Sequence, residues 1–373
     1  MTKEDFIEAG YVNFGYFSPE LSSKDTYPEY IKENVKDAVK KIKSYENENS
    51  FSFGFMTDIH YSDTENHNIR TKRLLNAYNE IKQSVDLRLL ALGGDYVNDG
   101  KKEYKVNNYI KLNEFLKSEN FFPVNGNHDD NSIWDWCIEN EKSENHLSAK
   151  EIFDLFYSHL EIKGVTFGDC FGLYYFFDDK KNKVRYIFLD TCDIPYSVNK
   201  NGKFNYAKQS TFALSQNQID WLINKALKFS EDNWSIIFVS HVFESFSEKS
   251  KTHETRKLDV LADIIDAYKN GENLNKTYYE NEFSVKCNAE FSRYKRAEIV
   301  AYFCGHRHSD FEERTKSGVP VIYTDCTCFY EYKTPRSDGD KSELLFDIVT
   351  IQKDTKTIYT TRIGSGKDRV IKY

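Results

Sequence analysis

Three apolar segments in the first third of the sequence each end in polar residues that can bind metals. The segments cover residues 51–57, 87–92 and 121–124, and helical patterns separate them over about 67–84 and 106–119. Open α/β sheets place their functional sites at the carboxyl ends of their strands. We therefore predict an α/β fold with one site at that edge, built from the polar residues that follow these strands: Asp58, His60, Asp95, Asn127, His128 and Asp129.

Two further predicted strands, at 234–239 and 299–304, end in histidines. The histidines that directly follow predicted strand ends are five of the nine in the chain: His60, His128, His241, His306 and His308. Packing alone gives no reason for this concentration, whereas a metal site does, because strand ends are rigid and converge on one crevice. The others are interpreted as ordinary surface or internally bonded histidines: His67, His146, His159 and His253.

The types of donor fit a pair of divalent ions. Two ions held ~3.5–4 Å apart suit phosphoryl transfer, because they contact both the attacking and the leaving oxygen. Such a pair requires a carboxylate that serves both ions and several neutral imidazoles, so that a phosphate anion still meets net positive charge. Borderline metals such as Mn, Fe and Zn accept these nitrogen and oxygen donors. In a regular strand, the i, i+2 spacing would place each of two pairs on one face: Asp58 with His60, and His306 with His308.

Composition and charge limit the partners of the protein. No apolar run approaches the ~20 residues of a membrane helix, and the N-terminus leads into no apolar stretch of a secretory signal. We therefore expect a soluble, cytoplasmic protein without a membrane partner. The net charge is −8 and no basic block occurs, so nucleic acid is a possible but not a favoured partner.

The seven cysteines are scattered, odd in number and free of any CxxC pair, which favours a reducing compartment over a disulfide framework. Cys326 and Cys328 are interpreted as two inward-facing thiols on one face of a strand.

The ordered motifs resemble those of the calcineurin-like metallophosphoesterase superfamily. They are Asp58-Ile59-His60, Gly94-Asp95, Gly126-Asn127-His128-Asp129, His241 and Gly305-His306-Arg307-His308. Each motif alone is weak, but five in this order, each after a predicted strand and together spanning about 51–310, form a specific pattern. The resemblance implies an α/β (α+β) fold, a four-layer αββα sandwich with two mixed β-sheets.

The resemblance also implies a role for each matching residue. Two divalent ions, drawn from Mn, Fe, Zn or Ni, would be held by two sets of ligands that share Asp95: Asp58, His60 and His308 for one ion, and Asn127, His241 and His306 for the other. A hydroxide between the metals would attack phosphorus, and His128 would act as general acid at the leaving-group oxygen. Asp129 would orient His128 from behind, which we hold as a hypothesis.

Two positions depart from subgroups of this superfamily. Protein Ser/Thr phosphatases have an arginine where this chain has Asp99, and purple acid phosphatases have a tyrosine ligand where it has Asn98. The sequence therefore indicates neither a protein phosphatase nor an iron–tyrosinate enzyme.

We expect three parts along the chain. Residues 1–50 would be an N-terminal extension whose amphipathic helix, near 28–45, packs on the core. Residues 51–330 would form the metallophosphoesterase domain, with insertions at 131–170, read as helical, and at 242–298, whose clearest helix is near 254–269. Residues 331–373 would complete it as a β-hairpin.

The substrate stays open at this point. A phosphomonoester or phosphodiester, as a small molecule or a polymer, fits the predicted site, and a nuclease or nucleotide phosphodiesterase is the alternative within enzymes. A phage virion component, either degrading a cell-surface polymer or serving attachment without catalysis, is a further alternative. The tail Arg362-Ile-Gly-Ser-Gly-Lys-Asp-Arg369 is interpreted as a C-terminal turn, with a phosphate-approaching loop as the alternative. Oligomeric state and metal identity are not predicted.

Overall fold

The structure is a computed structural model. It describes residues 21–137, 143–169, 171–206, 208, 211–243, 254–255, 258–279, 282–329 and 336–373. Among these residues, no helix has the length and apolar character to span a bilayer. His253 and the first part of the predicted N-terminal extension lie outside the described residues.

The described helices and strands alternate in the first third of the chain, and strands predominate after it. The helices are α1 (Glu29–Tyr45), α2 (Glu65–Ser84), α3 (Lys102–Leu116), α4 (Ser132–Cys137), α5 (Ala149–Ile152), α6 (Gln216–Trp221) and α7 (Asp259–Asn270). The strands of the first half are β1 (Ser50–Met56), β2 (Leu87–Leu92), β3 (Phe121–Pro123), β4 (Thr166–Phe167), β5 (Tyr175–Asp179), β6 (Val184–Phe188) and β7 (Thr211–Phe212). Those of the second half are β8 (Ser235–Val239), β9 (Glu254–Thr255), β10 (Asn273–Tyr278), β11 (Val285–Glu290), β12 (Glu298–Cys304), β13 (Phe311–Arg314), β14 (Pro320–Tyr323), β15 (Leu345–Gln352), β16 (Thr357–Gly364) and β17 (Arg369–Lys372).

The chain divides into two compact units, of which the first contains residues up to Pro123, Gly305–Phe311 and Tyr323–Lys372. Its six-stranded sheet has the order β17-β16-β15-β1-β2-β3. The strands β1, β2 and β3 are parallel, whereas β15 and β16 are antiparallel to their neighbours. The strand β1 is buried along nearly its whole length, as expected for a strand covered on both faces. The parallel order brings the polar ends of β1 and β2 to one edge of this sheet.

The helix α1 covers part of this sheet. Its buried residues, Ile31, Val35, Ala38 and Ile42, recur at helical spacing and form one apolar stripe. Pro28 precedes the first turn, where its carbonyl oxygen accepts the N–H of Ile31 at 3.0 Å. At the other end, the rings of Tyr45 and Tyr359 stack at 4.1 Å. The amphipathic helix predicted near 28–45 is confirmed.

The second unit contains Val124–Cys304 and Glu312–Ile322. Its seven-stranded sheet has the order β13-β14-β12-β8-β6-β5-β4. The strands β6, β8 and β12 are parallel, and β5 pairs with β6 as an antiparallel hairpin. The chain therefore has two large mixed sheets with helices, and the predicted α/β fold class is confirmed.

Several elements differ from their predicted form. The helix expected near 148–160 is the short α5, continued by a π turn at Phe153–Tyr157 and a 3-10 helix at Ser158–Lys163. The second insertion contains the antiparallel pair β10–β11, which was not predicted, because its alternation of buried and exposed residues is confined to β11. The helix expected near 254–269 starts later, at Asp259 in α7, after the short strand β9. The predicted C-terminal hairpin, β15–β16, is joined by a third strand, β17.

Candidate metal centre

The residues that follow β1 are held in an unusual backbone conformation. Asp58 and His60 both have left-handed backbone, with φ of 53° and 45°. The Asp58 N–H donates to the carbonyl oxygen of Gly94 at 2.9 Å, and the His60 N–H donates to that of Asp95 at 3.0 Å. Left-handed non-glycine residues cost on the order of 1–3 kcal/mol and concentrate at functional sites. A turn therefore directs these two side chains, and the alternation of a regular strand, which the i, i+2 spacing suggested, does not apply.

Three of the predicted ligands form a tight buried cluster in the first unit. The ligand-capable atoms of Asp58, His60 and His308 lie within 4.8 Å of one another. His308 Nε2 is 3.1 Å from Asp58 Oδ1 and 3.3 Å from His60 Nε2. Burial lowers the pKa of His308, but the Asp58 carboxylate outweighs it and raises that pKa well above its usual value. The cluster thus attracts positive charge, and its one carboxylate with two imidazoles is a donor set that divalent transition metals accept.

The Asp58 carboxylate is itself held in place. Thr57 Oγ1 donates to Asp58 Oδ2 at 2.6 Å, and the His306 N–H donates to the same oxygen at 3.0 Å. A Cβ atom at Gly305 would lie 1.8 Å from Thr57 Oγ1 and 2.4 Å from Asp58 Oδ2, so only glycine fits there. Sequence reasoning did not single out Thr57, although its place directly before the Asp58 motif was a signal. Hydrogen bonds of this kind orient a metal ligand and tune its charge.

Asp95 and His306 lie beside this cluster in the same unit. Their ligand-capable atoms are within 4.8 Å of each other, and Asp95 Oδ2 is 3.8 Å from His60 Nε2. His306 and His308 repeat the left-handed backbone of the first motif, with φ of 66° and 46°. The first unit therefore brings together five of the seven predicted metal ligands: Asp58, His60, Asp95, His306 and His308.

The segment after β14 closes over the Asp58 turn. The N–H groups of Thr327 and Cys328 donate to the carbonyl oxygens of Thr57, at 2.8 Å, and Asp58, at 3.1 Å. The placement of Cys326 and Cys328 on one face of a strand is wrong, because both residues follow the end of β14 and belong to this segment. The two cysteines belong to the loop that is hydrogen-bonded to the Asp58 turn.

Asn98 and Asp99, the two residues that depart from family subgroups, both form contacts that stabilise the first unit. Asn98 Nδ2 donates to Ser62 Oγ at 2.7 Å. Asp99 lies 3.5 Å from the Lys105 ammonium, and both side chains are fully buried. Lys105 also donates to the carbonyl oxygen of Val97 at 2.8 Å. These residues stabilise the loop after Asp95, where the other subgroups have an arginine or a tyrosine.

In the second unit, Asn127 and His241 form a buried pair. His241 Nε2 and Asn127 Oδ1 are 2.8 Å apart. His241 follows the end of β8, and its neighbour Ser240 is held by the Tyr302 hydroxyl, which donates to Ser240 Oγ at 2.7 Å. The carboxamide oxygen and the imidazole nitrogen are buried, face each other and are donors that a borderline metal accepts.

The turn after β3 carries His128 and Asp129, which are both buried. Asp129 Oδ2 accepts the N–H of Gly126 at 2.7 Å. This bond closes the turn that contains Asn127 and His128, so Asp129 has a structural use there. Its orientation of His128 stays a prediction.

A buried ion pair follows directly, and sequence reasoning missed it. Asp130 Oδ2 accepts the Tyr196 hydroxyl at 2.6 Å and lies 2.9 Å from the Lys208 ammonium. Burial raises the pKa of Asp130, but Lys208 and Tyr196 outweigh it and hold that pKa below its usual value. The pair ties Lys208 and Tyr196 to the residue that follows the turn of His128 and Asp129. Its partners are far apart in sequence, so no local pattern indicated it.

Asp190 is a second buried carboxyl in this unit. It accepts the N–H of Cys192 at 2.9 Å and the Asn125 side-chain amide at 3.2 Å. Burial and the neighbouring Asp193 raise its pKa to about 7. Asp190 is therefore a carboxyl whose charge changes near neutral pH.

This pKa predicts a pH dependence of stability. Because the pKa of Asp190 is raised above the ~3.9 of an unfolded chain, its contribution to stability is present at acidic pH and is lost as the pH rises through about 7. We expect the midpoint of thermal unfolding to fall between pH 5 and pH 8, and Asp190→Asn to flatten that part of the profile. The change should reach a few degrees, since about 1 kcal/mol moves a 150–250-residue domain by ~2–4 °C. Asp193→Asn should shift the loss to lower pH, and an unaltered profile in both variants would contradict the assignment.

His67 is a histidine with a structural role and is not one of the predicted metal ligands. It is buried in α2, and its Nδ1 accepts the N–H of Ser62 at 2.8 Å. Burial lowers its pKa to about 3, so it is neutral. His146 Nδ1 is bonded to the Ser143 carbonyl oxygen at 3.1 Å. The interpretation of these two as internally bonded histidines is confirmed.

Comparisons with known proteins give a family for this chain and structures similar to it. The family model of calcineurin-like phosphoesterases matches residues 51–310, which is most of the chain. A dimetal phosphatase from Danio rerio is similar in structure, with a TM-score of 0.54 and 14% identity, over 87% of this chain and 99% of that protein. A 5'-nucleotidase from Candida albicans has a TM-score of 0.43 and 16% identity, over 81% of this chain and 47% of its own. No curated protein sequence matches this chain.

The two mixed sheets and the cluster of buried metal-capable side chains define a metal-dependent phosphoester hydrolase. The chain belongs to the calcineurin-like phosphoesterase family. The family match covers all five motifs from Asp58 to His308.

Proposed function

We propose that this protein is a dinuclear-metal phosphoesterase that hydrolyses a phosphomonoester or a phosphodiester. The observation that carries the proposal is the buried cluster of Asp58, His60 and His308, placed by left-handed turns at strand ends. These residues would hold one divalent ion. By position in the family motifs, Asn127, His241 and His306 would hold a second, and Asp95 would serve both.

The ions, once bound, would supply positive charge to the phosphoryl oxygens and activate water for attack on phosphorus. The protein contributes the rest of the chemistry. Asp95 is nearly fully buried, so its negative charge is not screened by water and favours cations strongly. Asp58 is oriented by Thr57 and by the His306 N–H, which fixes the ligand geometry before an ion arrives.

We assign the proton transfer to His128. It follows Asn127 directly and lies buried in a turn that the Asp129 carboxylate closes. A positioned imidazole that protonates the leaving-group oxygen typically accelerates hydrolysis about 10²- to 10⁴-fold. Asp129 would maintain the orientation of His128 through the shape of this turn.

The insertions at 131–170 and 242–298 follow the third and fourth motifs, and we propose that they select the substrate, because loops on a rigid scaffold usually carry specificity. The net charge of −8 argues against a long nucleic acid as the substrate. A small phosphoester or a phosphodiester-linked polymer is the substrate class we propose.

A panel of phosphoesters tests the proposal. The purified protein would be stripped with EDTA, reloaded with Mn²⁺, Zn²⁺, Ni²⁺ or Fe²⁺, and assayed on p-nitrophenyl phosphate, bis-p-nitrophenyl phosphate, nucleotides and single-stranded DNA. Metal content would be measured on the same samples. We expect about two ions per chain and hydrolysis of at least one ester that EDTA abolishes. A chain that binds no metal and hydrolyses no ester after reloading would contradict the proposal, and two bound ions without turnover would favour an attachment role.

A further inference from the structure

The C-terminal tail contains a buried arginine with two carboxylate partners. Arg362 is on β16, and its side chain is 1% exposed. Its Nε donates to Asp347 Oδ1 at 2.7 Å. Its two terminal nitrogens donate to the two oxygens of Asp310, at 2.8 and 2.7 Å. A paired, fork-shaped contact of this kind combines charge with a fixed orientation, which a lysine cannot reproduce.

Asp310 connects this arginine to the loop that carries two of the proposed ligands. It lies two residues after His308. Its Oδ1 also accepts the N–H of Asp325 at 3.0 Å. Asp325 begins the segment in which the N–H groups of Thr327 and Cys328 donate to the carbonyl oxygens of Thr57 and Asp58. One carboxylate therefore joins the His306–His308 loop to the segment that covers the Asp58 turn.

The glycines of the tail make room for this arginine. Gly366 has a φ of +105°, and a Cβ atom there would lie 2.1 Å from Arg362 Nη1. The same Nη1 donates to the Ser365 carbonyl oxygen at 2.8 Å. The Arg362 N–H donates to Asp368 Oδ1 at 2.9 Å, which closes the turn between β16 and β17. The tail forms a turn, as predicted, and this turn packs around its own arginine.

We infer that Arg362 is a positioning residue of the metal centre, which acts through Asp310 to hold the loop of His306 and His308 in its metal-binding geometry. The inference rests on the proposed function, since it concerns the affinity of that same centre. The Arg362 guanidinium is buried, so the loss of Asp310 leaves its charge only partly compensated, by Asp347, and releases the loop that Asp310 anchors. Outer partners of metal ligands typically contribute about 10- to 100-fold to metal affinity.

Arg369 is a matched control in the same tail. Its Nη2 donates to Asp347 Oδ2 at 3.0 Å, and its Nη1 donates to the Tyr323 carbonyl oxygen at 2.8 Å. Burial raises the pKa of Asp347, but Arg362 and Arg369 outweigh it and lower that pKa, so both arginines support the same carboxylate. Among the described contacts, only Arg362 of the two also reaches Asp310. A change at either arginine weakens the tail, and only a change at Arg362 releases the His308 loop.

The test compares Mn²⁺ binding by equilibrium dialysis in the wild type, Arg362→Lys, Asp310→Asn and Arg369→Lys, with thermal unfolding measured alongside. We expect Arg362→Lys and Asp310→Asn each to weaken Mn²⁺ binding about 10- to 100-fold. The double variant should bind no more weakly than the weaker single one, since the residues act as one unit. Arg369→Lys should lower the unfolding midpoint and bind Mn²⁺ like the wild type. Turnover of Arg362→Lys should recover at saturating Mn²⁺.

Two results overturn the inference in distinguishable ways. If the wild type binds two Mn²⁺ and hydrolyses an ester while both Arg362→Lys and Asp310→Asn bind Mn²⁺ as Arg369→Lys does, the positioning role is wrong and the proposed function stands. If the wild type binds none of Mn²⁺, Zn²⁺, Ni²⁺ and Fe²⁺, the proposed function fails and the inference fails with it. If Arg362→Lys does not fold, Asp310→Asn alone tests the positioning role, because the Asp310 side chain is partly exposed.

Discussion

Asp95→Ala is expected to abolish turnover of every phosphoester that the wild type hydrolyses. The carboxylate is buried beside His60 and within ligand distance of His306, and it is the proposed residue that serves both ions. Its loss should reduce kcat by more than about 10³-fold, which corresponds to roughly 4 kcal/mol of transition-state stabilisation. The bound metal should fall below the wild-type stoichiometry. Steady-state assays in excess Mn²⁺ and metal analysis of the dialysed protein measure both effects.

Asn98→Ala is the matched control for this variant. Asn98 lies on the same loop, three residues further on, and its amide bonds to Ser62. Losing that bond should cost about 1 kcal/mol of stability and leave metal content and turnover close to the wild type. Full activity in Asp95→Ala, or an equal loss in both variants, would show that Asp95 has no special role.

His128→Ala should reduce kcat about 10²- to 10⁴-fold and leave the metal content unchanged. The proposed role is protonation of the leaving-group oxygen, so the loss should depend on the leaving group. An alkyl phosphate needs the proton and should lose most of its rate, whereas p-nitrophenolate leaves readily without it and should lose far less. The pH–rate profile should also lose its alkaline limb, since the general acid is absent.

His146→Gln is a suitable control, because His146 is a partly buried histidine of the second unit that bonds to a backbone carbonyl and lies outside the motifs. It should keep both its rate and its leaving-group dependence. Equal losses of His128→Ala on alkyl and nitrophenyl esters, or loss of metal from this variant, would refute general-acid catalysis and assign His128 to the structure of the turn.

Local patterns predicted much of the fold. The helix near 28–45 is α1, because an apolar residue on every turn needs only a neighbouring surface to cover it. The strands that precede Asp58, Asp95 and Asn127 were also recognisable, since short apolar runs bounded by glycine and polar residues are typical of buried strands. The pair β10–β11 was missed, because β10 is largely exposed and has no apolar alternation.

The order of the five motifs was enough to predict the family, the fold class and the chemical nature of the ligands. Those properties depend on residue types and on their order along the chain, and the sequence specifies both. The contacts that hold the site residues in place depend on the folded structure. The left-handed turns at Asp58 and His308 and the fork of Arg362 on Asp310 involve contacts between residues 52 to 250 positions apart. Only tertiary packing brings such partners within hydrogen-bond distance and removes the water that would otherwise compete with them.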